Sequence, residues 1–272
     1  MRIALAQILS GTDPEANLAV VADGVGRAAE QGASLVVFPE ATMCRFGVPL
    51  GPVAEPVDGP WADRVRALAA DAGITVIAGM FTPADAGRVA NTLLAVGPGV
   101  DTHYDKIHLF DAFGFTESRT VAPGRRCVVV PVDGVQVGLA TCYDIRFPPL
   151  FTTLADRGAE LIAVCASWGA GPGKVDQWSV LARARALDST CFVAAVGQAD
   201  PGDTIAPTPA PTGAGHTMMV SPFGAVLAEA QTAPRLLTVD IDVAAVAEAR
   251  RTLAVLANRS DIVHADKAES RG

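Results

Sequence analysis

The sequence predicts an α/β fold in which mixed β-sheets are covered by helices. Three observations predict it. Short apolar runs alternate with helix-period segments along the chain, as expected for strands that need helices to cover them. Several pairs of runs are joined by tight-turn residues, which adds antiparallel hairpins to a parallel core. The apolar runs also outnumber the strands of one sheet of ordinary width, so two packed sheets are expected.

Each element has its own signal. Arg2–Ile8 alternates as a strand. Asp13-Pro14 opens a helix toward Gln31-Gly32, with aspartate as N-cap and proline at the first helical position. Ser34–Phe38 is a continuous apolar run, typical of a strand buried on both faces. A second helix follows Pro60, and Ile74–Phe81 is another strand. Val89–Val96 and Asp101–Ile107 pair around Gly97-Pro98-Gly99. Val128–Val132 and Val135–Thr141 flank Asp133-Gly134, a type I′ hairpin signal. A helix after Pro148-Pro149, a strand at Leu161–Ala166, a helix at Asp176–Asp188 and a strand at Phe192–Val196 continue the pattern. His216–Ser221 and Ala225–Glu229 form a hairpin around Pro222-Phe223-Gly224, before Leu236–Ile241 and a last helix. Residues 199–215 (ADPGDTIAPTPAPTGAG) are irregular and expected to be a surface loop. No long linker or fixed-period repeat interrupts the 272 residues, so 1–272 is expected to be one domain.

Composition narrows the function. Half of the residues are apolar and 18% charged, which excludes disorder as the main state. With 21 Lys+Arg against 29 Asp+Glu, the net charge is −8. No basic cluster offsets that field, so nucleic acid is not an expected partner. The most apolar stretch, Leu161 to Gly173, is too short to span a bilayer, and the N-terminus lacks a signal-peptide pattern. Cys44, Cys127, Cys142, Cys165 and Cys191 are odd in number and widely spaced. They form neither a disulfide framework nor a zinc knuckle, and buried, reduced thiols in a cytoplasmic protein are expected.

Three ionisable residues stand at strand ends. Glu40 closes LVVFPE, Lys106 closes HYDK and Cys142 closes VQVGLATC. Sites in open α/β sheets form beyond the carboxyl ends of strands, so these positions can converge. Singly, each has an ordinary explanation as a solvated carboxylate, a surface lysine or a core thiol. Cys142 has the strongest local case, because TCYDIRFPPL passes from a strand into a helix started by the proline pair. That geometry places the sulfur at the positive end of a helix, favouring a thiolate, and aims the Tyr143 N–H at whatever the sulfur attacks. None of His103, His108, His216 and His264 is marked as its base by context; Glu40 is the alternative.

The segments VVFPEA, YDKIHLFD, FTES, GLATCYDIRFP, LARARALD and GHTMMVSPFG, in that order, resemble the nitrilase superfamily of carbon–nitrogen hydrolases. The resemblance runs from MRIALAQ to LANRSDIV. It implies a four-layer αββα sandwich and a Glu–Lys–Cys catalytic set, matched here by Glu40, Lys106 and Cys142, with a second glutamate at Glu117. Cys142 would form a thioester with an amide carbonyl. Glu40 would serve as base, then acid, then activator of water, and Lys106 and the Tyr143 N–H would hold the oxyanion. No metal or organic cofactor is implied.

CYDIRFP most resembles the branch of ω-amidases and deaminated-glutathione amidases, which release ammonia from side-chain amides of carboxylate-bearing substrates. Arg146 stands where carbamoyl-amino-acid hydrolases bind a substrate carboxylate; its ordinary explanation is a structural arginine paired with Asp144. The chain departs from the branch at CASWGAGPGKVDQW, with Trp168 and Gln177-Trp178, and at Pro149, where glutamate is usual. Trp168 thereby becomes a candidate pocket residue. Of Arg183 and Arg185, one is expected to be structural and the other solvated. Rival readings are a nitrilase or carbamoylase on the same site, and a non-catalytic binding protein on the same scaffold. A homodimer or larger assembly is expected, helped by the tail RTLAVLANRSDIVHADKAESRG.

Overall fold

A computed structural model describes residues 1–206 and 208–260. In chain order its first elements are β1 (Arg2–Gln7), α1 (Pro14–Glu30), β2 (Leu35–Val37), α2 (Pro60–Ala72), β3 (Thr75–Pro83), β4 (Val89–Gly97) and β5 (Val100–Asp105). A small hairpin, β6 (Asp111–Ala112) and β7 (Phe115–Thr116), and a short β8 (Val121–Ala122) follow. The second part holds β9 (Val129–Val132), β10 (Val135–Thr141), α3 (Pro148–Asp156), β11 (Leu161–Ala166), α4 (Lys174–Ser189) and β12 (Phe192–Gly197). It ends with β13 (Met218–Val220), β14 (Val226–Glu229), β15 (Arg235–Asp240) and α5 (Ala244–Leu253).

The strands form two larger sheets of matching design. The first runs β15-β1-β2-β3-β4-β5, with β8 beside β4, and the second β14-β13-β12-β11-β10-β9. In each, three parallel strands joined through two helices form the centre, β1-β2-β3 in one and β10-β11-β12 in the other. Antiparallel neighbours extend both. The chain thus builds one β-α-β-α-β unit twice.

Strand periodicity sorts side chains into layers. Ile3, Leu5, Val37 and Ile77 of the first sheet meet Val137, Leu139, Ala163, Ala194 and Val196 of the second, all buried, in a central core. The alternate residues Ala4, Val36, Val76 and Ala78 pack under Val21 and Val25 of α1 and Trp61 and Val65 of α2. On the opposite side Ile162, Val164, Val193 and Ala195 lie under Phe151 and Leu154 of α3 and Trp178, Ala182 and Ala186 of α4. The result is a four-layer αββα sandwich.

Local signals act as expected. Asp13 caps α1 by accepting from the Glu15 N–H at 3.0 Å. Asp133 and Gly134 both take positive φ, 49° and 78°, as a type I′ turn requires. The described part of 199–215, all but residue 207, is irregular apart from a short turn at Gly202–Thr204, but it is not a surface loop throughout. Ala199, Ala210 and Ala214 are buried, and the segment is tied to the ends of β1 and β11 where Ala199 N donates to the Ile8 carbonyl at 2.7 Å and Ser167 Oγ to the Pro211 carbonyl at 2.9 Å. No helix among the described residues is long and apolar enough to cross a membrane. Most of the tail expected to contact a neighbour, 261–272, lies outside the described residues.

Candidate active site

The carboxyl ends of the parallel strands meet at one place. Glu40 lies in the turn three residues beyond β2, rather than closing the strand, and Lys106 directly follows β5. Glu117 begins a turn of 3₁₀ helix after β7, and Cys142 begins another, Cys142–Arg146, directly after β10. Glycine makes room for the Glu40 turn. Gly79 N donates to the Pro39 carbonyl at 3.2 Å, and a Cβ on Gly79 would stand 2.6 Å from the Ala41 nitrogen. Any side chain there would push Glu40 off its position.

Glu40, Lys106 and Glu117 form one buried cluster, exposed by 0%, 2% and 2%. Lys106 Nζ donates to Glu40 Oε1 at 2.9 Å and to Glu117 Oε2 at 2.9 Å and Oε1 at 3.2 Å. The free carboxylate oxygen of Glu40, Oε2, accepts from Ser167 N at 2.7 Å. Glu117 Oε2 accepts from Phe110 N at 2.6 Å. Burial by itself lowers the proton affinity of Lys106, but the adjacent Glu117 and Glu40 carboxylates overcome it and hold the ammonium well above the usual lysine range. The lysine is therefore a fixed positive charge.

Cys142 occupies left-handed backbone space, φ 46°, unusual for a residue with a side chain. Asp144 secures this turn. Its Oδ2 accepts from Thr141 N at 2.9 Å and Tyr104 Oη at 2.6 Å, and its Oδ1 accepts from His108 N at 3.0 Å. His108 Nδ1 lies 2.7 Å from the same oxygen. Asp144 thereby ties the cysteine turn to the segment that follows Lys106. The Cys142 sulfur is 3.9 Å from the Ser167 carbonyl oxygen.

Two expectations need correction. The sulfur does not sit at the positive end of the proline-started helix, because the short Cys142–Arg146 turn intervenes before α3. Burial, and after it the Glu40 carboxylate, push the thiol well above the usual range despite the opposing pull of Lys106. Cys142 rests as a thiol. Nor does Arg146 pair with Asp144, whose oxygens are taken by other donors. Arg146 Nη2 instead donates to Gln177 Oε1 at 2.7 Å, and the guanidinium lies 5.1 Å from the Trp168 ring and 5.9 Å from the Tyr143 ring. Tyr143, Arg146 and Trp168 thus come together outside the charged cluster. Arg185 is buried, donating to the Ile145 carbonyl, while Arg183 is exposed.

Sequence reasoning missed two members. Asn91 on β4, fully buried, donates from Nδ2 to Glu40 Oε1 at 2.7 Å and to Glu117 Oε1 at 3.1 Å. Its only sequence signal is a buried-strand asparagine with no hydrophobic reason to be there. Ser167 acts through its main chain, which no side-chain pattern reveals. No group of three His, Cys, Asp or Glu among the described residues is arranged to hold a metal ion.

The family model of carbon-nitrogen hydrolases matches residues 2–251. A hydrolase of Mycobacterium tuberculosis is 67% identical, with both chains covered in full. The deaminated glutathione amidase of Escherichia coli O157:H7 is 34% identical over 95% of this chain and 97% of its own. A carbon–nitrogen hydrolase superfamily protein of Xanthomonas campestris, solved with an arsenic adduct in its active site, superposes with a TM-score of 0.82. It is 29% identical and is covered over 99% of its chain and 97% of this one.

Proposed function

We propose, from the premise that this chain belongs to the carbon–nitrogen hydrolase family, that it hydrolyses the side-chain amide of a small carboxylate-bearing substrate. Ammonia leaves, and the acyl group passes through a thioester on Cys142. One observation carries this reading: a buried carboxylate and ammonium are hydrogen-bonded to each other, and the Ser167 main chain joins that pair to the buried Cys142 thiol. The name of the Escherichia coli relative agrees with an amide substrate.

The steps follow from the charges. Because the thiol is neutral at rest, it attacks the amide carbon as Glu40 takes its proton. Lys106 Nζ has three N–H bonds, and at rest they face Glu40 Oε1 and both oxygens of Glu117. The weaker 3.2 Å bond to Glu117 Oε1 is given up to the oxyanion, which the Tyr143 N–H also holds. Glu40 returns the proton to the departing nitrogen as the C–N bond breaks. It then takes a proton from water, whose oxygen splits the thioester, and the thiol is regenerated with the carboxylic acid. Glu117 and Asn91 hold the lysine and base in register. Arg146, with its planar guanidinium beside Trp168 and Tyr143, receives the substrate carboxylate.

The test measures ammonia and carbon dioxide released from succinamate, aliphatic nitriles and N-carbamoyl amino acids. Ammonia from succinamate without carbon dioxide, and an acyl adduct on Cys142 by mass spectrometry, are expected. Activity confined to nitriles or carbamoyl compounds would move the protein to another branch. Inertness toward all three, with Cys142 resisting iodoacetamide, would make it a binding protein. We also propose one domain over residues 1–272 and a homodimer or larger assembly; a single-chain mass in light scattering would overturn the latter.

A further inference from the structure

Beyond the charged cluster stand two cations without acidic partners among the described residues. Arg146 is held by the neutral Gln177, and its Nε is buried without a hydrogen-bond partner. Lys174, the first residue of α4, has its ammonium 3.3 Å from the centre of the Phe113 ring and 5.9 Å from that of Phe110. Neither cation forms an ion pair with a carboxylate among the described residues.

The arrangement is built. Trp168, whose ring faces Arg146, donates from Nε1 to the Lys174 carbonyl at 2.8 Å. Lys174 and Gln177, three apart on α4, lie on one side of the helix. Burial, followed by the positive charge of Arg146, lowers the Lys174 ammonium from its usual value. In a chain of net charge −8, two like charges joined through Trp168 and the first turn of α4, with no carboxylate between them, favour an anion. Phe113 is a weak seat for the ammonium, because its ring is 70% exposed at the tip of the β6–β7 hairpin. A carboxylate is a better partner.

We propose that Lys174 is a specificity-determining residue that binds a second acidic group of the substrate, so that the enzyme selects amides whose acyl portion carries two carboxylates. This rests on the amidase reading above. Arg146 takes one carboxylate and Lys174 leaves Phe113 to take the other, and the two positive charges are matched by two negative ones. A mono-carboxylate leaves one cation unmatched.

Ammonia release is measured for wild type, Lys174→Met and Lys174→Arg with butyramide, succinamate and the 1-amide of propane-1,2,3-tricarboxylic acid. Wild type is expected to show its highest kcat/KM on the dianionic amide. Lys174→Met, which keeps the apolar stem, should lower the ratio of dianionic to mono-anionic kcat/KM by about tenfold to a hundredfold, the worth of a hydrogen bond to a charged group. The change should lie in KM, and Lys174→Arg should restore most of it. An equal ratio in wild type and Lys174→Met overturns the proposal. Wild type inert toward all three amides would overturn the amidase reading instead. The charge selection is then read from protection of Cys142 against iodoacetamide. Propane-1,2,3-tricarboxylate should protect at lower concentration than succinate, and Lys174→Met should abolish the difference; equal protection by both acids in wild type overturns the proposal.

Discussion

The two β-α-β-α-β units share a topology but supply different chemistry. The first half and its extension give charged and amide side chains: Glu40 after β2, Asn91 on β4, Lys106 after β5 and Glu117 beyond β7. The second gives a sulfur after β10, a main-chain N–H after β11 and the two cations Arg146 and Lys174. Glu40 and Ser167 follow corresponding strands of the two units, and they meet directly, at 2.7 Å. In the proposed mechanism, one fold end serves once for proton transfer and electrostatics and once for bond formation and selection. Placing the halves face to face brings these together, and neither half holds a complete site.

Variants can break this division, and the largest effect is expected in the second half. Cys142→Ala should reduce ammonia release to background, because no covalent intermediate can form. Cys142→Ser should be nearly as inactive, since Glu40 is too weak a base for an alcohol. In the first half, Lys106→Ala should cost at least the 10²–10³-fold of a lost oxyanion donor in kcat. It should also lower Tm, since two buried glutamates lose their cation. Near-normal turnover by Lys106→Ala or by Glu40→Gln would sink the proposed mechanism.

Asn91→Leu, similar in size, removes one donor from each of the two carboxylates. About 1–3 kcal/mol per buried group left underpaired translates into a kcat roughly ten- to a hundredfold lower, with KM little changed. A change in KM alone would place Asn91 with substrate binding instead. Trp168→Phe, in the second half, removes the hydrogen bond to the Lys174 carbonyl at a cost of about 1 kcal/mol. A few-fold rise in KM for anionic amides with kcat preserved is expected, and an equal fall in kcat would blur the division.

The division also has a pH signature. Glu40 raises the proton affinity of the Cys142 thiol, second only to burial. Removing its negative charge in Glu40→Gln should therefore shift the pH profile of Cys142 alkylation, followed by peptide mass spectrometry, toward lower pH. A shift upward would mean that the carboxylate does not face the sulfur as a charge.

The layers and most strands were legible because burial on a sheet leaves a period in the sequence. Leu161–Ala166 was read to the residue, and the Asp133-Gly134 turn carries its own chemistry. The β6–β7 hairpin was missed, since two residues per strand leave no period. Glu40, Lys106 and Cys142 stood out only together, through the motifs around them. Ser167 and Asn91 were hidden for different physical reasons, one acting through a group every residue has and the other looking like a misplaced strand residue. The thiolate expectation failed because a strand-turn-helix pattern does not state how much backbone intervenes, nor which carboxylate stands beside the sulfur.

β1 lies inside the first sheet, between β2 and β15. Its Arg2 faces Asp240, 238 positions later, and the terminal ammonium donates to the Ile241 carbonyl. During synthesis, then, β1 waits for β15. Until Arg235–Asp240 leaves the ribosome, β1, with five of its six residues buried in the finished protein, presents an open apolar edge of the kind that recruits other strands. Nascent chains that stop short of Arg235 should accumulate as aggregates rather than as a partly working enzyme, which makes the synthesis of β15 a quality check on β1.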